Sequence, residues 1–192
     1  MSSDVGIIEG DLSAPEALDA LIRRAQEGDA AAFTVILERF ETKAILIARS
    51  MGASRDDAED IAQEAFLKIF RYIGSYRSDQ TFKAYFYRIV MNASRDHLSK
   101  MRPAGTSTLE GMDELPAQPD RRAAFEDVEL LRNALQELPT REREVVILRD
   151  LQGLSTWEVA RILRISPITV RRHSGRALVH LKKLLRPPSD EK

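Results

Sequence analysis

Eight basic side chains lie close together between residues 159 and 188, in a segment that contains no Asp or Glu. They are Arg161, Arg164, Arg171, Arg172, Arg176, Lys182, Lys183 and Arg186. The whole chain has a formal net charge of -1, so this segment is basic against a nearly neutral background. A one-sided basic block is typical of a surface that binds the phosphates of a nucleic acid. The alternative is an amphipathic helical hairpin that only exposes its charges to water.

Two predicted helix starts position these basic side chains. Ser155 and Glu158 have the spacing of a capping box, and Ser166 before Pro167 predicts a second helix start. In the second helix, apolar residues recur at helical spacing and predict its buried side, namely Val170, Ala177, Leu181 and Leu184. The exposed side of its first turns carries Thr169, Arg171, Arg172, His173 and Arg176. This order is typical of a helix-turn-helix unit, whose second helix enters the major groove.

A second candidate binding surface lies on a helix predicted over residues 81–101. One face of this helix carries Tyr85, Arg88, Asn92 and Arg95 at helical spacing. An aromatic ring beside Arg and Asn can stack on an unpaired base and form hydrogen bonds with its edge. The polar face of an ordinary amphipathic helix can have the same composition, so the pattern by itself leaves both interpretations open.

Acidic residues open the helix predicted over residues 55–72. They are Asp56, Asp57, Glu59 and Asp60. The positive end of the helix macrodipole favours acidic side chains in the first turn, which accounts for two or three of them. It accounts less well for Gln63 and Glu64, which extend the same polar surface outward.

The sequence predicts no active site. The chain has no cysteine, which excludes thiolate zinc sites and cysteine nucleophiles. It also has no Gly-rich phosphate loop and no HExxH motif, and its three histidines stand apart in the sequence. The acidic residues from 56 to 60 lack the ligand spacing of a calcium loop. We therefore predict a protein that is not an enzyme and that needs neither a cofactor nor a metal.

The beginning of the chain lacks the features of a secretory signal. Residues 1–16 are acidic, without the basic segment and the apolar segment that such a signal requires. No apolar run approaches the roughly 20 residues that are needed to cross a bilayer. We therefore expect a cytoplasmic protein that is not inserted into a membrane.

Helical periodicity predicts an all-α fold of two small helical domains joined by a flexible linker. The expected segments are a disordered start (1–14), a first helical domain (15–102), an acidic linker with Pro and Gly (103–126), a second domain ending in the helix-turn-helix (127–186) and a tail (187–192). Basic residues collect at 68–102 and at 159–186, on either side of the acidic linker. This distribution predicts two nucleic-acid contacts on one chain.

Three segments of the chain resemble the sigma factors of bacterial RNA polymerase. Residues 57–70 (DAEDIAQEAFLKIF) and 85–92 (YFYRIVMN) are similar to region 2 of that family, and residues 138–178 are similar to its region 4. No region 3 lies between them, so the layout is similar to that of the extracytoplasmic-function (ECF) group. The resemblance covers about residues 15–186. It implies a subunit that binds core RNA polymerase through the beta-prime and beta subunits, directs it to promoter DNA, promotes melting and is controlled by an anti-sigma factor.

The resemblance also implies roles for individual residues. The polymerase-binding residues would be Asp57, Asp60, Gln63 and Glu64. The residues that recognise the minus-ten element and hold a flipped base would be Tyr76, Tyr85, Arg88, Asn92 and Arg95. The residues that recognise the minus-thirty-five element would be Thr169, Arg171, Arg172, His173 and Arg176, since Arg can bond guanine bidentately. The acidic linker would occupy a path that the nascent RNA later needs.

The chain departs from the family pattern at three places. Tyr85 stands where the family usually has Trp, and Arg164 replaces a common Gly at a turn position that favours a left-handed backbone. His173-Ser174-Gly175 replaces a run that is commonly basic, apolar and large. Ser174 is expected to weaken the buried side of the helix, and Gly175 to cost about 1 kcal/mol of helix propensity.

Two other functions fit part of the sequence. Residues 138–173 also resemble the DNA-binding segment of two-component response regulators, which predicts a stand-alone helix-turn-helix regulator with an α/β receiver domain. Residues 15–102 predict helices only, against that alternative. A sigma-like adaptor that binds an anti-sigma protein without transcribing would tolerate loss of promoter-contacting residues, but Arg88, Asn92 and Arg171 are present.

Overall fold

The computed structural model describes residues 15–77, 81–101 and 119–185, and these residues form helices without any strand. The α-helices are α1 Pro15–Gln26, α2 Ala30–Met51, α3 Arg55–Tyr72, α4 Phe82–Met101, α5 Pro119–Gln136, α6 Thr140–Val146, α7 Thr156–Leu163 and α8 Pro167–Leu184. The predicted all-α fold is confirmed. The expected disordered start, most of the expected linker and the expected tail lie outside the described residues.

Side-chain caps fix the starts of α2 and α3. Asp29 accepts a hydrogen bond from the backbone N–H of Ala32 at 3.1 Å, and Ser54 accepts one from that of Asp57 at 3.1 Å. Such caps satisfy N–H groups that have no partner within the helix. Gly52 ends α2 with φ 115°, a backbone conformation that L-residues rarely adopt.

The second domain begins earlier than expected and contains a π-helical turn. Helix α5 begins at Pro119 rather than at residue 127, since proline is well accommodated in the first turn of a helix. Helix α6 ends at Val146, and a π-helical turn follows over Ile147–Leu151. In that turn the N–H of Gln152 donates to the carbonyl of Ile147 at 3.0 Å. Ile147 and Leu148 are both fully buried there.

The two helical domains share an apolar core. Aromatic side chains of α2, α3 and α4 pack together in the first domain, with the rings of Phe40 and Phe86 4.8 Å apart. The same buried cluster continues into the second domain through residues of α6, the π-helical turn, α7 and α8. Its members there include Val145, Leu148, Val159, Leu163 and Val170. Helix α7 packs on α4, and α5 packs on α2, so the domains are in direct contact.

Large apolar residues at two helix ends are exposed, among them Leu184, which the sequence predicted on the buried side of its helix. Phe70 near the end of α3 is 57% exposed, and Leu184 at the end of α8 is 44% exposed. Each lies in the last turn of its helix, and helical periodicity alone does not say where the packing of neighbours ends. No helix within the described ranges has the combination of length and apolar character needed to cross a membrane.

Candidate nucleic-acid interface

An aromatic cluster forms one end of the surface predicted on α4. The ring of Tyr76 lies 5.1 Å from that of Tyr85 and 5.7 Å from that of Phe82, measured between centroids. The guanidinium of Arg88 lies 5.8 Å from the centroid of the Tyr85 ring, within cation–π range. Tyr85 is only 8% exposed, and burial raises the pKa of its hydroxyl. Stacking on a base would therefore need this ring to move outward, whereas Arg88 already reaches the surface.

Gln26, which no sequence pattern indicated, holds the loop that carries Tyr76. Its side-chain amide donates to the carbonyls of Ile73 and Tyr76 at 3.0 and 2.9 Å. These bonds fasten the segment after α3 to the end of α1, and they position the Tyr76 ring against α4. The contact joins residues about fifty positions apart, so no local pattern could have indicated it.

The other end of the α4 surface is tied to the second domain. Asn92 is exposed, and its side-chain oxygen accepts a hydrogen bond from Nη1 of Arg95 at 2.8 Å. Nε of Arg95 donates to Oε1 of Glu144 in α6, and Oε2 of Glu144 accepts from Arg141 at 2.9 Å. Glu144 is fully buried, so both of its carboxylate oxygens are paired with arginines. On the α4 surface, Asn92 and Arg95 are thus hydrogen-bonded to each other, and Arg95 is also bonded to Glu144 of α6.

The helix-turn-helix geometry is confirmed at its caps and its turn. Ser155 accepts from the N–H of Glu158 at 3.3 Å, and the Glu158 carboxylate accepts from the N–H of Ser155 at 2.8 Å. This is the predicted capping box, and its hydrogen bonds to Ser155 lower the pKa of Glu158. Arg164 takes the left-handed conformation in the turn, with φ 55° and ψ 47°. Trp157, the single tryptophan of the chain, is 71% exposed at the second position of α7.

Helix α8 presents its arginines to solvent on one side. Arg171, Arg172 and Arg176 are exposed, and they line a shallow groove with Gly175 and Val179. A Cβ at Gly175 would meet no atom within 4 Å. The absence of a side chain there leaves the groove wider, and no close contact requires glycine. Arginines on the first turns of such a helix can bond base edges and phosphates in the major groove.

Thr169 and His173 are less available than these arginines. The hydroxyls of Thr169 and Ser166 are 2.8 Å apart and hydrogen-bonded, which uses the Thr169 hydroxyl in the helix start. His173 is half-buried, and its Nδ1 has no hydrogen-bond partner among the described residues. Both residues keep their predicted places on the α8 surface, at its less exposed margin.

Ser174 contributes to α8 in a way that its polarity did not predict. It is 2% exposed, and its hydroxyl accepts a hydrogen bond from Arg149 of the π-helical turn. A buried hydroxyl with a charged donor is satisfied, so the cost expected from a polar residue on the buried side is offset. Arg149, which no sequence pattern indicated, fixes the rotation of α8 against the rest of the domain.

The acidic surface of α3 is partly involved in the fold. Asp57 lies 2.9 Å from Nε2 of His97 in α4 and accepts from the Ser54 hydroxyl at 2.5 Å. The bond from Ser54, followed by that from His97, holds the pKa of the Asp57 carboxyl below its usual value. The bond from Lys68 at 2.7 Å likewise lowers the pKa of Glu64. Asp60 and Gln63 remain exposed and available to a partner.

An apolar groove between α2 and α3 adjoins this acidic surface. Its lining residues include Phe33, Leu37, Ile45, Leu67 and Phe70, with Gln63 and Glu59 at the edge. Leu67 and Phe70 are both more than half exposed. Exposed apolar residues next to acidic ones are typical of a surface that binds another protein.

Comparison with known proteins assigns a family to both halves of the chain. A family model described as "Sigma-70 region 2" matches residues 36–103, and one described as "Sigma-70, region 4" matches residues 128–181. The ECF RNA polymerase sigma factor SigM of Mycobacterium tuberculosis is 34% identical over 158 residues, which are 82% of this chain and 79% of SigM. The chain belongs to the ECF sigma factor family. It is thus a transcription initiation factor, of the kind that directs RNA polymerase to promoters.

Two further comparisons extend the similarity over most of this ECF sigma factor. The RNA polymerase sigma-H factor of Pseudomonas aeruginosa is 28% identical over 179 residues, covering 87% of this chain and 93% of that protein. The structure of CnrH in complex with the cytosolic domain of CnrY is similar with a TM-score of 0.69 and 28% identity. That similarity covers 86% of this chain and 95% of CnrH.

The described residues of this sigma factor offer no cluster of three or more His, Cys, Asp or Glu side chains that could hold a metal ion. Its three histidines lie at three different places in the fold, and two of them contact a carboxylate. His97 is bonded to Asp57, and Nδ1 of His180 lies 2.7 Å from the carboxylate of Glu142. His173 lies on α8 beside the arginines. The α4 and α8 surfaces provide positive charge, hydrogen-bond donors and aromatic rings.

Proposed function

We propose that this ECF sigma factor is a non-enzymatic specificity subunit that contacts promoter DNA through two surfaces, one in each domain. The observation that carries the proposal is the exposed row of Arg171, Arg172 and Arg176 on a helix-turn-helix, in the same chain as the α4 surface. A chain with both surfaces can bind DNA at two separate elements and so place a polymerase in register. We propose that it works in the cytoplasm, where bacterial RNA polymerase meets DNA.

Helix α8 reads the minus-thirty-five element in this proposal. Arg171, Arg172 and Arg176 are the exposed donors, and His173 and Thr169 contribute at the margin. The Ser166 cap and the Arg149–Ser174 bond hold the start and the rotation of the helix, so that the arginines face one direction. A helix held in one rotation presents its arginines to one side of the groove, which favours base-specific contacts over general attraction to phosphates.

Helix α4 and the preceding loop bind the minus-ten element. Arg88 and Asn92 reach the surface and can bond a base edge or a phosphate, while Arg95 lies beside them. Tyr76 and Tyr85 provide rings for a base that has left the stack, once Tyr85 turns outward. Capture of an unstacked base offsets the cost of melting and keeps the strands apart.

The acidic start of α3 and the groove beside it bind core RNA polymerase. Asp60 and Gln63 are exposed, and the groove adds an apolar component from Leu67 and Phe70. Glu64 is only partly available to the polymerase, because Lys68 already pairs with its carboxylate. Asp57 contributes indirectly in this proposal, since its carboxylate is bonded to Ser54 and His97 and fixes the first turn of α3.

We also propose that an anti-sigma factor controls this protein. CnrH, which has a similar fold and 28% identity, was solved in complex with the cytosolic domain of CnrY. A further structure with a TM-score of 0.68, the sigma factor RpoE of Bartonella quintana, was solved in complex with the anti-sigma factor NepR. These complexes motivate the proposal for this chain.

Run-off transcription with purified bacterial core RNA polymerase tests the proposal. A pool of genomic fragments is transcribed with and without the protein, and new discrete transcripts with two spaced upstream motifs are expected. A regulator that binds DNA alone would give no transcripts and no stable complex with the polymerase on gel filtration. An adaptor would give the complex without transcripts from any fragment.

Two substitutions then test the two DNA surfaces separately. Asn92→Ala should reduce open-complex formation while binding to core polymerase persists, because the loss is confined to base capture. Arg171→Ala should cost about 1–3 kcal/mol at one base pair of the upstream motif if the residue reads guanine. Unchanged melting would remove the assignment of Asn92, and an equal loss on all promoter variants would make Arg171 a phosphate contact.

A further inference from the structure

The hydroxyl of Tyr85 is a buried polar group that the fold itself does not use. The residue is 8% exposed, and its hydroxyl oxygen has no hydrogen-bond partner among the residues that the structure describes. The ring packs against those of Tyr76 and Phe82, with centroids 5.1 and 5.9 Å away. A hydroxyl that is removed from water without a hydrogen bond makes the folded state less stable. Apolar packing therefore accounts for the ring of Tyr85 and leaves its hydroxyl unexplained.

A second buried tyrosine of the same helix shows the usual arrangement. Tyr87 is 1% exposed, and its hydroxyl donates to Oε1 of Gln152 at 3.0 Å. The large majority of buried polar side-chain atoms have such a partner. Both tyrosines of this pair are buried, but the hydroxyl of Tyr87 is hydrogen-bonded within the fold and that of Tyr85 is not. This contrast indicates that the Tyr85 hydroxyl finds its partner in another molecule.

The surroundings of Tyr85 indicate the chemistry of that partner. Arg88 lies beside the ring, with its guanidinium 5.8 Å from the centroid, and Asn92 is exposed further along α4. Burial raises the pKa of the Tyr85 hydroxyl, so the oxygen keeps its proton at neutral pH and is a hydrogen-bond donor. A donor beside a positive charge favours an acceptor that belongs to an anionic chain. A melted DNA strand provides both, since each base has acceptor atoms on its edge.

We propose that the Tyr85 hydroxyl is a specificity-determining donor of the α4 surface, which forms a hydrogen bond with a base of the melted promoter strand after the ring turns outward. The hydroxyl lies in the plane of the ring, so when the ring stacks on one base, the hydroxyl reaches the edge of the neighbouring base. The inference rests on the proposed role of the α4 surface in binding the minus-ten element. It adds that the hydroxyl favours the outward movement, because it gains a partner that it lacks in the free protein.

Tyr85→Phe tests this proposal in the full-length protein, because stability and promoter melting should change in opposite directions. The free variant should unfold at a higher denaturant concentration, since a buried hydroxyl without a partner has been removed. With core polymerase, on a promoter obtained by run-off transcription, its equilibrium constant for open-complex formation should fall roughly three- to tenfold, as for the loss of one neutral hydrogen bond. A residue with a purely structural role would not reduce melting while the protein becomes more stable.

The matched control is Tyr87→Phe, which removes a hydroxyl that is paired within the fold. It should not gain stability, and it should leave open-complex formation unchanged. The position of the acceptor on the DNA is found by placing an abasic site at each minus-ten position of one strand in turn. The ratio between the wild-type protein and Tyr85→Phe should fall to one at a single position and persist at the others.

Each outcome has a separate meaning. If Tyr85→Phe melts the promoter normally while Asn92→Ala does not, the role of the hydroxyl is overturned and the proposed function stands. If both variants melt it normally, the proposed role of the α4 surface itself has failed. A loss of stability in Tyr85→Phe would show that the hydroxyl is already satisfied in the fold, which overturns the inference. A ratio that persists at every abasic position would make the acceptor a phosphate or a sugar, which overturns the assignment to a base.

Discussion

The turn of the helix-turn-helix contains a backbone conformation that a single substitution can relieve. Arg164 has φ 55° and ψ 47°, and it is the one non-glycine residue with positive φ in the described part of the chain. Its N–H and that of Ile165 both donate to the carbonyl of Ala160, so the conformation is required to end α7. The left-handed conformation costs a residue with a Cβ about 1–2 kcal/mol, whereas glycine adopts it without this cost.

Arg164→Gly should therefore stabilise the folded protein. The gain is reduced because glycine also adds freedom to the unfolded chain, by roughly 0.5–1 kcal/mol. The expected net increase in the free energy of unfolding is about 0.5–1 kcal/mol, or about 1–4 °C in melting temperature for a chain of this size. Thermal and guanidinium unfolding followed by far-ultraviolet circular dichroism would measure both quantities.

Arg164→Ala separates the backbone effect from the loss of the guanidinium. Alanine keeps the Cβ and the strain but removes the same charge, so it should leave stability unchanged or slightly lower. Equal stabilisation by alanine and glycine would show that the exposed side chain, and not the left-handed backbone, is the unfavourable feature. A loss of stability in Arg164→Gly would refute the argument directly.

Two further predictions concern the contact between the domains. Gly52→Ala should lower the free energy of unfolding by about 1–3 kcal/mol, since φ is 115° and the new Cβ would lie 2.6 Å from Oε1 of Gln136. Adding Gln136→Ala should restore the part of the free energy of unfolding that is lost to the clash, but not the part that is lost to the left-handed backbone. Full recovery of that free energy in denaturant unfolding would contradict the conformational argument. Burial raises the pKa of the Tyr87 hydroxyl to about 12, above the usual tyrosine value of about 10. Because the folded state holds this proton more tightly, stability is fully present below pH 10 and falls by about 2–3 kcal/mol as the pH rises towards 12. Tyr87→Phe should lack that component of the pH dependence when unfolding is measured from pH 9 to 12, and identical profiles for the two proteins would contradict it.

Local signals in the sequence predicted most of the helices. Ser155 and Ser166 are caps in the structure as they were in the prediction, because a cap is formed within four residues of its own helix. The π-helical turn was missed, since no residue type in 147–151 marks it. The early start of α5 was missed because Pro119 lies among residues whose composition is typical of a linker.

The candidate site could be predicted only as far as single helices allow. The exposure of Arg171, Arg172 and Arg176 followed from the buried stripe of α8 and is confirmed. The pairing of Arg95 with Glu144 joins residues 49 positions apart, and the same tertiary distance hides the bond of Gln26 to the Tyr76 loop. Ser174 was expected to weaken the helix because its donor, Arg149, lies on another element. Helical spacing identifies the buried and exposed faces of a single helix, but it does not identify the residues of other helices that contact each face.

The position of Trp157 determines what the intrinsic fluorescence of this protein can report. The indole is 71% exposed at the start of α7, so it is already mostly hydrated in the folded state. Its emission maximum should therefore shift little on unfolding, and fluorescence would follow denaturation poorly. A partner that covers the beginning of α7 would instead remove water from the ring and shift its emission to shorter wavelengths. The chain thus contains an optical sensor, free of any label, for whatever binds the first helix of its helix-turn-helix.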